Sequence, residues 1–417
     1  MDNLLPSYDE VVAYVYEQFA LAYHAPDLSL DELKSVCDCS EGELNRLKDV
    51  SLLKAVGNVN FKSYTAPVFF GDQKRFNENV VVNGQVQFDV YLNSFLLISG
   101  LQEWLCETKD KQDRFPYSES IQSKVDFIKI PAATIYFEFL AEAIRAKGHQ
   151  CDPIDFNENV IFTHDIDQVR SGWFEDVGHY IKNPSFKAVF GIARAILGKI
   201  TGTKDSYYYA LLKMEAIDKK YNLPAISFMM AEKSHDDADH HLENLSPLWQ
   251  GEQQRIGLHP GFFTYNNKAN FVKQLDKVEA LYKRSEKIVR QHYLKYDVKQ
   301  TTAIHEELKI TEDYTLGFAE QHGFRNSIAT PFYLYRFDEK RASKVLEIPL
   351  YFMDGTLHHY MKDNSTEGKD QVVAEIKQLH DELNISFSVL FHNSVFTDLK
   401  YFGFTEMYEE LIRATRK

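Results

Sequence analysis

Apolar residues recur at three- and four-residue spacing through Asp9–Tyr23, the pattern of a helix with one buried face. Leu28-Ser29-Leu30-Asp31-Glu32 offers a second helix start, and Glu41–Leu53 continues in the same style. Lys62–Phe70 (KSYTAPVFF) reads as a short strand, and Val80–Val86 as a hairpin turning on Asn83-Gly84. Phe88–Cys106 is a strongly apolar helix. Ala132–Lys147 is another, closed by Gly148. Residues 1–155 therefore predict a smaller α/β or α+β unit.

Past residue 155 the rhythm changes. Short apolar strands are predicted at Asn159–Thr163, Pro224–Met230, Arg255–Leu258, Thr301–Ile304, Ser327–Ala329, Val345–Leu350 and Ser386–Leu390. Helices fit at Phe271–Arg290 and Thr366–Leu383, and a polar, helical excursion runs from about Gln168 to Tyr221. Strand and helix alternating in this way predict a parallel sheet over residues 156–417, open or closed into a barrel.

Composition adds limits. A chain of 417 residues exceeds one ordinary core and favours two or three units. The formal net charge is −14 with no Lys/Arg-rich run, so a nucleic-acid backbone or an anionic membrane surface is repelled by most faces. Cys37, Cys39, Cys106 and Cys151 lack the paired spacing of a zinc site and read as free thiols, which fits a reducing compartment. The N-terminus has no basic and then apolar leader, and no stretch reaches the roughly 18 apolar residues of a membrane span. The expected location is cytoplasmic. The most amphipathic segment, Phe186–Ile200 with Lys187, Arg194 and Lys199, reads as a surface helix.

In α/β folds the chemistry sits where strands end. The residues after the predicted strands are Thr163-His164-Asp165-Ile166-Asp167, His259-Pro260-Gly261 and His392-Asn393-Ser394. Arg290-Gln291-His292-Tyr293 closes the long predicted helix. Each alone is more often a cap or an ordinary hydrogen-bonding group. Together they are coherent. Asp165 and Asp167 share a face in extended chain, so one can hold a cation while the other serves as base. His259 adds a nitrogen ligand, Arg290 can orient the base, and His392 can protonate a leaving amine. That is the equipment of metal-assisted amide or ester hydrolysis. The acid- and histidine-rich run Ser234–His241 reads instead as a solvated loop.

At these residues the chain resembles the NodB-like polysaccharide deacetylases, carbohydrate esterase family 4. FTHDID resembles the first motif, IGLHP the second, RQHYLKY the third in the variant of a bacterial subgroup, and FHNSVF the last. DYTLGFAEQHGFRNSIATPFYLY and EIPLYFMDGTL match that subgroup between them, and YTAPVFFG and FDVYLNSFLLISGLQEWL, with the Asp113-Arg114-Phe115 that follows it, match its N-terminal companion domain. The resemblance implies an irregular (β/α)7 barrel over 156–417, preceded by a companion domain over 1–155. It implies Asp165 as catalytic base, Arg290 as its partner and His392 as general acid, with Asp167 and His259 as ligands of a divalent ion, zinc in the first instance. It departs in one place. The second motif's usual second histidine, four residues on, is Phe263 here, so a third ligand comes from elsewhere, His292 first and His164 second. The usual third-motif proline is also absent.

The leading expectation is a metal-dependent deacetylase acting on an N- or O-acetylated carbohydrate. A deacetylase-fold protein that binds carbohydrate without the chemistry is the alternative, motivated by Phe263, and a different amidohydrolase is a third.

Overall fold

A computed structural model describes residues 5–77, 79–184, 186–201, 206–231, 240–245, 255–283, 287–397 and 401–416. The N-terminal third is mainly helical. Helix Tyr8–Phe19 starts at a capping box on Ser7 and buries Val11, Val12, Val15 and Phe19. Two small hairpins follow, β1 (Gly57–Phe61) with β2 (Tyr64–Val68), and β3 (Val81–Val82) with β4 (Gln85–Val86). The second turns on Asn83 and Gly84, both at positive φ, as the Asn-Gly pair predicts. The long apolar helix is two helices, Val90–Ile98 and Leu101–Leu105, broken at Gly100, which takes a left-handed conformation. Helix Ala132–Ala146 ends as predicted near Gly148.

The rest is built on one parallel sheet. Its strands are β5 (Val160–Ile166), β6 (Ile226–Met230), β7 (Arg255–His259), β8 (Ile288–Val289), β9 (Glu312–Asp313), β12 (Leu346–Glu347), β13 (Leu350–Met353) and β14 (Phe387–Leu390). A minor hairpin, β10 (Tyr335–Arg336) with β11 (Arg341–Ala342), lies apart. The sheet order is β12-β9-β8-β7-β6-β5-β14-β13. Its two edge strands are nearly one strand, because only Ile348 and Pro349 separate them. Pairing passes from β9 to β14 across that bulge: Ile348 N donates to Asp313 O and Ser388 N to Pro349 O. Proline suits a point where the ladder changes partner, having no N–H to leave unpaired. The sheet thus curls back on itself through chain continuity.

Ile161, Ile226, Phe228, Ile288, Tyr314 and Ile348 fill the inside of the curl. Gly257 points the same way: an added Cβ would meet the Phe228 ring at 2.5 Å. Outside, helices Lys268–Tyr282, Thr366–Glu382 and Phe404–Thr415 bury one face each. Among the described residues none of the N-terminal strands joins the parallel sheet. The two parts are nevertheless tied by buried polar bonds. Arg325 forks onto Glu103 at 2.7 and 2.5 Å, and the Tyr14 hydroxyl donates to Tyr333 O at 2.6 Å.

Three expectations fail. Thr301–Ile304 is not a strand but lies in helix Gln300–Glu307, led in by Asp297, whose Oδ1 accepts from the backbone N–H of Lys299 and Gln300. The helix predicted to Arg290 stops at Tyr282, with Lys283 left-handed, so Arg290 follows a strand, β8. Ser327–Ala329 forms no strand. Among the described residues no helix is long and apolar enough to cross a membrane.

Candidate active site

Strand alternation sets the site. On β5, Thr163 and Asp165 face the interior, and Asp167 lies just past the strand end on the same side. On β7, His259 is the last residue; Arg290 and His292 follow β8; His392 follows β14. All six residues singled out in the sequence meet at one end of the sheet. Asp165, Asp167, His259, His292 and His392 line a cleft of about 530 Å³. Arg290 lies beneath it, fully buried.

Asp167, His259 and His292 offer ligand atoms that all lie within 4.8 Å of one another. His259 Nε2 is 3.3 Å from Asp167 Oδ1, and His292 Nε2 is 3.8 Å from Asp167 Oδ2. Ligands bonded at about 2.0–2.2 Å in a tetrahedral shell stand roughly 3.3–3.6 Å apart; the first spacing falls in that range and the second lies just beyond it, so the group could hold a metal ion. The protonation pattern fits too. His259 Nδ1 lies 2.7 Å from the Arg290 carbonyl, which can only accept, so Nδ1 carries the hydrogen. In the neutral ring Nε2 then turns a lone pair toward carboxylate oxygens, and neither it nor Asp167 Oδ1 has a hydrogen-bond partner despite burial. Two facing acceptors require a cation or a proton between them. Burial, and then His259 and His392, hold His292 well below the usual imidazole value, which leaves it neutral and able to ligate.

Asp165 is placed for a different task. Arg290 Nη1 donates to its Oδ1 at 3.1 Å and to Thr163 Oγ1 at 2.7 Å, while Arg290 Nε donates to Tyr314 O at 3.0 Å. The guanidinium also lies over the Phe228 ring at 4.6 Å. Burial pulls the Asp165 carboxyl upward, but His259 and Arg290 together outweigh it and hold the group below the ordinary carboxylate value. Asp167 moves the other way. Burial raises it against the pull of His259 and His392. The two carboxyls are thus shifted in opposite directions.

His392 is gripped by a residue the sequence reading did not single out. Its Nδ1 lies 2.6 Å from Asp354 Oδ1, and its backbone N donates to Asp354 Oδ2 at 2.7 Å. Burial opposes the charged ring, yet the Asp354 carboxylate outweighs it and pushes His392 up to about 10. A second contributor comes from the N-terminal part. Arg114, braced by Asp110, donates to the carbonyl of Tyr293 at 3.0 Å and to the Tyr360 hydroxyl at 3.2 Å. Tyr293 and Leu294, directly after His292, both have positive φ, a costly conformation that the Arg114 bond helps to hold.

Two further residues fall elsewhere. His164 points out of the sheet and is considered below. Phe263 is 58% exposed and packs edge-on to Phe262, away from the ligand group. Of the run Ser234–His241, residues 234–239 lie outside the described residues.

A family model described as a family of unknown function, DUF7033, matches residues 27–149, wholly before the parallel sheet. No curated protein matches. Among solved structures, one from Mycobacterium smegmatis ascribed to a polysaccharide deacetylase is similar at 13% identity and a TM-score of 0.39, covering 63% of this chain and 86% of that chain.

Proposed function

We propose that this chain is a metal-dependent hydrolase that removes acetyl groups from an N- or O-acetylated sugar or polysaccharide precursor. In this reading residues 156–417 form a NodB-like barrel, and residues 1–155 form a companion domain that walls the cleft through Arg114. One observation carries it: a group of one carboxylate and two histidines able to hold a metal, Asp167, His259 and His292, opens into the same cleft as an ion-paired Asp165 and an Asp354-bound His392. The motif resemblance assigns Asp165, Asp167, His259, Arg290 and His392 to the same roles.

A divalent cation on Asp167, His259 and His292, zinc in the first instance, would polarise an acyl carbonyl and acidify a water. Asp165, kept ionised by Arg290, takes the proton from the attacking water. His392, kept protonated by Asp354, gives a proton to the departing nitrogen or oxygen. His259 is held in one tautomer by the Arg290 carbonyl, so Arg290 serves both the base and a ligand. Tyr293, Tyr360 and Tyr401 give the cleft aromatic walls suited to sugar faces.

The test is acetate release from a panel of N- and O-acetyl sugars by protein stripped of metal and reloaded. Asp165→Asn should keep the cation and lose roughly two or more orders of magnitude in rate. Full activity of Asp165→Asn on a confirmed substrate would overturn the assignment. So would failure of the wild type to hold any cation when supplied with zinc, cobalt or nickel.

A further inference from the structure

Helices Gly172–Lys182 and Phe186–Thr201 leave the sheet between β5 and β6, after the strand end that carries Asp165 and Asp167. They pack against each other. An added Cβ on Gly191 would meet the Tyr180 ring at 2.3 Å, and Lys199 Nζ lies 3.6 Å over the Trp173 ring. This pairing leaves an apolar stripe in solvent. Val189, Ala193, Ile196 and Ile200 recur at three- and four-residue spacing, and Val189 is 65%, Ile196 44% and Ile200 75% exposed. Phe174 and Ile181 on the first helix are 64% and 65% exposed. Eight of the fifteen exposed large apolar side chains among the described residues fall within 172–209. Clustered exposure of this kind marks an interaction surface, whereas scattered residues do not.

The charge of the segment says what it meets. Residues 172–201 carry Lys182, Lys187, Arg194 and Lys199 against Glu175 and Asp176, and every charged residue of the segment after 176 is basic, in a chain of net charge −14. We infer that the helix pair is an interfacial anchor that lays its apolar stripe into the surface of an anionic lipid bilayer. An amphipathic helix with an apolar face and flanking cations lies in that interface, and its cations are drawn to anionic headgroups. A two-fold pairing along the helix Phe186–Thr201, whose charges are all basic, would bring like charges together, and a nucleic acid would leave the stripe in water. The acidic remainder of the chain resists wider adsorption, so contact is confined to this face. Docking does not depend on the hydrolase reading; it would hold the strand ends bearing Asp165 and Asp167 toward lipid-borne substrates.

Flotation of the full-length protein with phosphatidylcholine vesicles, with and without phosphatidylglycerol, tests this. The wild type should float with the anionic vesicles, far less with the neutral ones, and be released by high salt. The triple change Val189→Gln, Ile196→Gln, Ile200→Gln should abolish flotation, and Lys182→Glu with Lys187→Glu should weaken it about tenfold or more. Both variants should keep the wild-type unfolding temperature and metal content, since Lys182, Val189, Ile196 and Ile200 are exposed. If they do not, quenching of wild-type tryptophan fluorescence by brominated lipid, lost in Trp173→Phe, decides in their place. A wild type that ignores both vesicle types and shows no quenching overturns the inference. So does a dimer that the triple change converts to monomer while vesicles leave it unaffected.

Discussion

The two faces of β5 put the same residue types to opposite uses. On the outer face His164 is fully buried and both ring nitrogens are engaged: Nδ1 is 3.1 Å from Phe391 O, and Nε2 is 3.2 Å from Asp218 Oδ2 and 3.1 Å from the Tyr408 hydroxyl. Tyr408 in turn donates to Asp218 at 2.6 Å. On the inner side His259 also meets carboxylates, yet its Nε2 and Asp167 Oδ1 are buried without hydrogen bonds and lie beside a cleft. A buried histidine–carboxylate contact is therefore not in itself a site. What marks the inner one is spare lone pairs that converge where a ligand can reach them. His164 has none to give.

The largest effects should come from the inner face. His259→Ala or Asp167→Asn should reduce cation affinity by more than the roughly 10–100-fold typical of losing an outer partner, and remove activity with it. Calorimetric titration with zinc measures this, and a variant that binds as tightly as the wild type would erase the distinction between the two faces. Next is Asp354→Asn. It leaves the ligands in place but takes away the charge that keeps His392 protonated, so the rate should fall by about 10–100-fold at unchanged metal content.

Smaller, and of a different kind, is the outer-face change His164→Ala. Cation binding should be unaffected, while stability drops by about 1–3 kcal/mol because Asp218 and Tyr408 each lose a buried partner. Denaturant unfolding with a parallel metal titration separates the outcomes; loss of the cation here would mean His164 belongs to the site after all. The smallest effect lies away from both faces. Burial raises Glu375, but hydrogen bonds from His322 and Lys129 outweigh it and bring the carboxyl to about 2 from an ordinary 4.5. A carboxyl depressed in the folded state stabilises it above the unfolded value, and that contribution is lost as pH falls from about 4.5 through about 2. The unfolding temperature of Glu375→Gln should start lower than the wild type at neutral pH and converge with it across that window.

Much of this was legible in the chain because β5, β6, β7 and β14 are short apolar runs buried on both sides. The strand-end rule then reaches Asp165, Asp167, His259 and His392. β8 is only Ile288 and Val289, and the helix before it ends on a left-handed Lys283 with no glycine to announce it, so periodicity ran on to Arg290. Thr301 and Thr302 are β-branched and read as strand, whereas the turn led in by Asp297 decided for helix. Asp354 was within reach of the same rule. The predicted strand stopped at Leu350, while β13 runs to Met353 and Asp354 is the next residue. His292 emerged only because Phe263 cannot ligate. Arg114 stood in the Asp113-Arg114-Phe115 match to the companion domain, but its role at the cleft depends on a contact across the fold.

The proposed metal ion would sit on the inner face, where Asp167, His259 and His292 converge. Anomalous diffraction from zinc-soaked crystals, with data collected on both sides of the zinc absorption edge, tests it most directly. One strong peak is expected within bonding distance of Asp167, His259 and His292, and none beside His164 and Asp218. No peak between Asp167, His259 and His292, or a stronger one elsewhere in the protein, would contradict it.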